Sequence, residues 1–267
     1  MRVLIIGDVV GNIGCMMVQK HLRNLQEQFQ IDATIVNGEN SNQNGRGISS
    51  KIMNSFKHNG VNVVTTGNHV WDNQDIYEYM RHNNDIIRPA NFPSTCPGTG
   101  VTTFNCNGIE VAVVNVQGRV FMKESLDCPF LSLDTILNYL KHRTKVIIVD
   151  IHAEATAEKV CLGYYVDGRV SCVVGTHTHV QTADERILPL GTAYITDLGM
   201  TGSLNSSIGM KKDNMIERFK TQMPNKFIVE TEPPVLMTGV WVEIDSQTGK
   251  AIQINRVKVI DQDLRAA

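Results

Sequence analysis

Five apolar runs in this chain each stop at a residue able to hold a metal ion. Residues 3–6, 33–36, 61–64 and 170–174 lead into Gly7-Asp8, Gly38-Glu39-Asn40, Gly67-Asn68-His69 and Gly175-Thr176-His177-Thr178-His179. A fifth run, 146–149, leads to His152. Short Val- and Ile-rich runs bounded by Gly read as buried strands, and in open α/β sheets ligands bind outside the carboxyl ends of the strands. The chain is thereby confined to folds in which five strand ends deliver Asp, Glu, Asn and His to one rim.

The first ~90 residues alternate strand and helix. A strand over 2–6 is followed by a helix near 14–28, a strand over 33–37, a loop over 41–47 and a helix over 49–59. Ser49 or Ser50 suits its N-cap, and Gly60 stands where a C-terminal cap belongs. A strand over 61–65 completes a βαβαβ unit, which implies parallel strands and right-handed crossovers. Runs 101–105 and 109–116 flank Cys106-Asn107-Gly108, whose Asn-Gly pair signals a tight hairpin. Helices are expected near 133–141 and 155–164, and strands over 146–151, 192–196, 235–244 and 252–260. Segment 203–234 is the least readable, with a short helix near 215–220. With no linker, repeat or low-complexity tract, the expectation is one α/β domain over 1–267 with mixed sheets.

Composition bounds the partners. With 25 Lys and Arg against 27 Asp and Glu, the formal net charge is -2. No basic footprint suits long nucleic acid or an anionic membrane. A nucleotide-sized substrate is still allowed, because metals supply positive charge locally. No run approaches the ~18 apolar residues of a membrane helix, and the first residues lack the core and cleavage site of a signal peptide. The six cysteines are scattered without a CxxC pair and read as inert thiols. The expected location is the cytoplasm. The oligomeric state is open, a homo-oligomer included.

The eight histidines divide into two sets. His21, His58, His82 and His142 lie in or beside expected helices among polar neighbours and read as solvated. His69, His152, His177 and His179 follow strand ends and are joined there by Asp8, Glu39 and Asn68. In an extended His177-Thr178-His179 segment both imidazoles point the same way, so each can serve one of two ions about 3.5–4 Å apart. Glu39 can bridge the ions with its two oxygens, Asp8 adds a second negative charge, and Asn68 offers an amide oxygen. Oxygen and nitrogen donors without thiolate suit iron, manganese or zinc, not a structural cysteine site.

These residues resemble the calcineurin-like metallophosphoesterases, whose pattern is D-x-H, GD-x-x-D, GNH-E/D, a lone H and GH-x-H. Val10 stands where the first histidine would be, Glu39 replaces the bridging Asp, and Val70 replaces the acid after GNH. That variant set is similar to the YmdB-like 2',3'-cyclic-nucleotide 2'-phosphodiesterases. So are residues 151–156 and Thr192-Ala193-Tyr194-Ile195-Thr196-Asp197-Leu198-Gly199-Met200-Thr201-Gly202. The resemblance implies a four-layer α-β-β-α sandwich of two mixed sheets and a dinuclear site holding two divalent transition-metal ions, iron or manganese ahead of zinc. One ion would take Asp8, Glu39 and His179, and the other Glu39, Asn68, His152 and His177. Val10 leaves the first ion a ligand short, and the amide of Asn40 is its natural replacement.

The expected reaction is hydrolysis of a small phosphodiester, a 2',3'-cyclic nucleotide opened to a 3'-nucleotide by a metal-bridging hydroxide. His69 follows Asn68 directly and is expected to stabilise or protonate the leaving oxygen. Arg46 is open between a phosphate contact and a solvated side chain. Trp71 is expected to pack and not to stack a base, and the glycines of 42–47 and 199–202 read equally as ligand approaches or plain turns. Gly7, Gly11 and Gly14 do not give the G-x-G-x-x-G of a dinucleotide site. A phosphomonoesterase or nucleotidase on the same ligands, and a non-catalytic nucleotide-binding regulator, are the remaining alternatives.

Overall fold

A computed structural model describes residues 1–265. In chain order the elements are β1 (Arg2–Ile6), β2 (Asp8–Val9), α1 (Gly11–Phe29), β3 (Ala33–Asn37), α2 (Ser50–His58), β4 (Val63–Thr65) and α3 (Asp75–His82). There follow β5 (Val101–Cys106), β6 (Ile109–Gln117), α4 (Pro129–Leu140), β7 (Val146–His152), α5 (Thr156–Tyr165) and β8 (Cys172–Thr176). The last third holds β9 (Arg186–Ile187), β10 (Ala193–Ile195), β11 (Met200–Ser203), α6 (Lys212–Thr221), β12 (Val235–Ile244) and β13 (Ala251–Asp261).

Alternation along the strands sets the layers. Leu4, Ile6, Val36 and Val64 pack beneath Ile13 and Met17 of α1, Phe56 of α2 and Ile76 of α3. Their neighbours Val3, Ile5, Ile35 and Val63 point the other way, onto Val113, Ile148, Val174 and Ile195 of a second sheet. The far face of that sheet, with Val114, Val149 and Tyr194, is covered by Leu133 and Leu137 of α4 and Leu162 of α5. The result is the expected four-layer sandwich. Both faces of the strands are buried, which is why runs such as Val146-Ile147-Ile148-Val149 are continuously apolar. Each such side chain contributes about 1.5–3 kcal/mol through burial.

Both sheets are mixed. In the first, β1, β3 and β4 are parallel. β12 runs antiparallel to β1 along one edge and to β13 along the other. Past the end of β1, β12 pairs with β11, and β11 takes up β2 in parallel, with Met200 beside Asp8. The second sheet has the order β5-β6-β7-β8-β10-β9, with β6, β7, β8 and β10 parallel. The parallel strands of both sheets finish at one rim, where Glu39, Asn68 and His177 follow β3, β4 and β8 and His152 is the last residue of β7.

Local signals match several expectations. Ser49 caps α2 by accepting from the Ile52 N–H at 3.4 Å. Asn107 and Gly108 take φ of 52° and 82°, as the hairpin turn requires. Other expectations are corrected. α1 begins at Gly11, three residues before the expected start, α3 has no expected bounds beyond the placing of His82 in or beside a helix, and Gly199–Gly202 is largely strand. His58, His82 and His142 are exposed, but His21 is half-buried, with Nε2 2.7 Å from Asp261 Oδ2. No helix among the described residues is long and apolar enough to cross a membrane.

Candidate metal centre

Four donor atoms converge at the rim. His152 Nε2 lies 3.0 Å from Glu39 Oε1, 3.0 Å from Asn68 Oδ1 and 3.0 Å from His177 Nδ1. Ligands about 2.1 Å from one ion and at right angles lie about 3 Å apart, so this spacing suits one coordination sphere. Glu39, His152 and His177 form a group of suitable geometry for a metal ion. Close backbone approach makes room for it. A Cβ on Gly67 would sit 2.2 Å from the His152 ring, and one on Gly175 would sit 1.8 Å from the Thr196 carbonyl oxygen.

Buried partners hold the imidazoles in place. His152 Nδ1 is 2.9 Å from Thr176 Oγ1, whose hydroxyl donates to Asp150 Oδ1 at 2.8 Å. The Thr176 oxygen therefore accepts from Nδ1–H, so that Nε2 faces the cluster and would offer its lone pair to a cation that displaces its proton. Asp150 also accepts from Thr65 Oγ1 at 2.5 Å. His177 Nε2 lies 3.1 Å from Glu154 Oε2, which leaves its Nδ1 facing inward. Asp150, Thr176 and Glu154 were not expected from sequence. Asp150 is a lone charge within an apolar strand, and that oddity was the available signal.

Beside this cluster stands a second group. His179 Nε2 is 3.7 Å from Asp8 Oδ1, and His179 Nδ1 donates to the Ile208 carbonyl at 2.9 Å. The Nε2 lone pair is thereby free. Asn40 Nδ2 donates to the Gly45 carbonyl at 3.0 Å, which turns its Oδ1 away from that loop. Asp8 Oδ1 and Asn40 Oδ1 are both buried without a hydrogen-bond partner among the described residues. Leaving such oxygens unpaired costs about 1–3 kcal/mol each, more for a charged group. A cation is the partner that a carboxylate and an amide oxygen beside a free imidazole lone pair would satisfy, so the donor set fits a metal.

The His177-Thr178-His179 segment is not extended, contrary to expectation. His177 and His179 have φ of 99° and 63°, both left-handed. Two unusual backbone conformations, not strand alternation, send one imidazole to His152 and the other to Asp8. Between them Thr178 donates through its N–H at 3.2 Å and its hydroxyl at 2.7 Å to Asp197 Oδ2. That carboxylate also receives the buried Lys159 ammonium at 2.6 Å.

The ionisation states show a site that seeks positive charge. Burial pushes the Asp8 carboxyl up to about 6, against the pull of His179 and His152. Burial acts the same way on Glu39, but the adjacent His152 outweighs it and holds the carboxyl at about 2. His152 itself is disfavoured as a cation by burial, yet Glu39 and Asp8 raise it to about 9. Burial and the neighbouring His152 cation lower His177 to about 3. A proton on His152 thus supplies charge that the surrounding carboxylates demand.

His69 stands next to the cluster and outside it. Its backbone N–H donates to Glu39 Oε2 at 3.0 Å, while its Nδ1 lies 2.9 Å from Asp72 Oδ2. Asp72 orients the imidazole and leaves Nε2 open. A cavity of about 330 Å³ borders His69, Asn68 and His177 and is closed by Arg46 and residues 121–124. Arg46 Nη1 is 4.0 Å from Asp72 Oδ2. Trp71 packs edge-on against Tyr77 and Phe92, with centroids 5.6 and 5.7 Å away, and has the packing role expected of it. A larger cavity of about 670 Å³ between α1 and α2 touches none of the ligand side chains.

Known proteins place this geometry in context. The family model described as YmdB-like protein matches residues 4–257. The chain is 47% identical to the 2',3'-cyclic-nucleotide 2'-phosphodiesterase of Bacillus subtilis (strain 168), covering 99% of each chain. The crystal structure of a novel phosphatase from Mycoplasma pneumoniae superposes with a TM-score of 0.92 at 33% identity, covering 98% of this chain and 94% of that one. A hypothetical protein from Thermus thermophilus gives a TM-score of 0.91 at 36% identity, covering 98% of this chain and 100% of that one.

Proposed function

This chain belongs to the YmdB-like family, and from that premise we propose that it is a dinuclear metal-dependent phosphodiesterase opening 2',3'-cyclic nucleotides to 3'-nucleotides. The observation that carries the reading is the convergence on His152 Nε2 of three further donor atoms, each at 3.0 Å. In this reading Glu39, Asn68, His152 and His177 would hold one divalent ion, iron or manganese ahead of zinc. Asp8, Asn40 and His179 would hold the other, with Glu39 as the ligand the two ions share. Bound there, the ions would supply an acidified water and neutralise charge on the phosphoryl oxygens.

The chain's own residues do the rest. Asp72 fixes His69 Nδ1, so that Nε2 can give a proton to the departing O2' as the ring opens. Glu154 and Thr176 keep His177 and His152 in the tautomers that point lone pairs inward. Arg46, at the far side of the cavity, can meet an anionic oxygen of the substrate.

The phosphatase described from Mycoplasma pneumoniae favours a second reading, monoester hydrolysis on the same ligands. A substrate panel on metal-reconstituted protein separates them. Turnover of 2',3'-cyclic nucleotides to 3'-nucleotides well above that of 3',5'-cyclic nucleotides and monoesters is expected. Faster release of phosphate from monoesters would assign a phosphatase. No hydrolysis by fully loaded protein would point to a regulator.

A further inference from the structure

Phe121 is placed against the ordinary preferences of an apolar residue. It is 86% exposed, the most exposed of the large hydrophobic side chains described. Its backbone is left-handed as well, with φ of 63°. Met122 N–H donates to the Arg119 carbonyl at 3.3 Å, closing a four-residue turn in which Phe121 is the third residue. Val120 is not left-handed, so the turn is of type II, whose third position is ordinarily glycine. A bulky residue there is a true outlier.

The turn is nevertheless built firmly. The Glu158 carboxylate accepts from the Arg119 N–H at 3.0 and 3.1 Å and from the Val120 N–H at 3.2 Å. Gly118 N–H donates to the carbonyl of His152 at 3.0 Å, tying the loop to the strand that carries a ligand candidate. At the far end of the loop Glu124 accepts from Gln117 Nε2 at 2.9 Å. A fixed turn thus holds an aromatic face toward solvent at a backbone cost that no packing among the described residues offsets. Phe121 and Lys123 line the same cavity as Arg46, Asn68, His69 and His177. The Phe121 ring is thus within the same cavity as His69, open to the remainder of a ligand whose phosphate lies there.

Resting on the proposed reading of the site as one that takes a nucleotide, we propose that Phe121 is the stacking platform for the nucleobase. An aromatic ring recognises the face common to all bases, so the platform favours nucleotides over bare sugar phosphates without strong preference among bases. Lys123 and Arg46 lie where they can meet the sugar and phosphate oxygens.

The test uses Phe121→Gly on metal-reconstituted protein. Glycine is at ease at positive φ, so this variant should melt no lower than the wild type while lacking the ring. Calorimetric affinity for adenosine 3'-phosphate should fall by roughly 5- to 150-fold, the usual worth of one stacked base. Affinity for inorganic phosphate and metal content should stay unchanged. Phe121→Trp should restore nucleotide binding. Equal weakening for phosphate, or no weakening for the nucleotide, would overturn the inference. So would a wild-type protein that binds adenosine 3'-phosphate no better than phosphate, whatever reaction it catalyses. If the nucleotide binds through Phe121 yet cyclic nucleotides are not hydrolysed, the proposed reaction fails and the stacking site stands.

Discussion

Replacing Asp197 with Asn should damage both the fold and the candidate metal centre, although Asp197 is not among the ligand candidates. Its carboxylate is fully buried and lies 2.6 Å from the ammonium of Lys159, itself 1% exposed. Among the described residues the Lys159 ammonium donates to Asp197 alone, so Asp197→Asn leaves a buried cation against a neutral amide. Breaking a buried pair by removing one partner costs about 3–5 kcal/mol. For a chain of this size that is a fall in Tm of roughly 6–20 °C. The opposite change is milder. In Lys159→Met, Asp197 keeps its bonds from Thr178 N–H, Thr178 hydroxyl and Gly199 N–H, at 3.2, 2.7 and 2.9 Å. Only one charge-assisted bond is lost, about 1.5–3 kcal/mol. Asp197 also grips Thr178 between two left-handed histidines, conformations that cost about 1–3 kcal/mol each. Loosening that grip should lower metal affinity about 10- to 100-fold, as loss of an outer-shell partner does. Thermal melts of chelated protein and metal titration of both variants measure the two effects. Lys159→Met proving as harmful as Asp197→Asn, or Asp197→Asn keeping wild-type stability and affinity, would mean that Asp197 neither balances the buried ammonium nor steadies the His177–His179 segment.

Three further outcomes are expected. Glu39→Ala should lose metal and activity together, and full unchanged metal content by elemental analysis would exclude its bridging role. His21→Ala and His142→Ala should keep metal content and rate, since both lie away from the rim, and a large loss in either would mean the histidines are wrongly sorted. Asp261 is held well below its ordinary pKa by hydrogen bonds from Lys20 and His21. A depressed carboxyl lends stability above its unfolded pKa, about 4, and loses it as pH falls toward the folded value. The stability difference between wild type and Asp261→Asn should therefore be full at pH 7 and shrink below about pH 4 in equilibrium unfolding. A difference that grows in acid would reverse that assignment.

What was legible in the sequence was local. Val- and Ile-rich runs ending in Gly and a polar residue marked the strands and their rim, because strands buried on both faces leave no polar alternation to confuse them. Asn107-Gly108 was readable because the turn needs positive φ at both residues, which few others tolerate. β11 was not, because Met200-Thr201-Gly202-Ser203 has little strand propensity and owes its conformation to pairing with β2 and β12. α3 was hard to bound because it is short and buries only Ile76 and Met80 fully, too few positions to set a clear helical period. In the site, residue types announced the ligand candidates, but their supports came from remote contacts. Asp150 lies among Thr65, Thr176 and Asn37. The left-handed His177 and His179 depend on Asp197, some 20 residues on, and no spacing rule encodes that.

In the proposed reaction the ligand cluster and His69 divide the work, the one serving the nucleophile and the other the leaving oxygen. The most direct test is the rate loss of His69→Ala on a 2',3'-cyclic nucleotide divided by its loss on a p-nitrophenyl ester, with metal content measured on the same samples. Nitrophenolate leaves without a proton, so the variant should lose roughly 10²–10⁴ on the cyclic nucleotide and far less on the ester, with both metals retained. A ratio near one, or loss of a metal, would contradict the account.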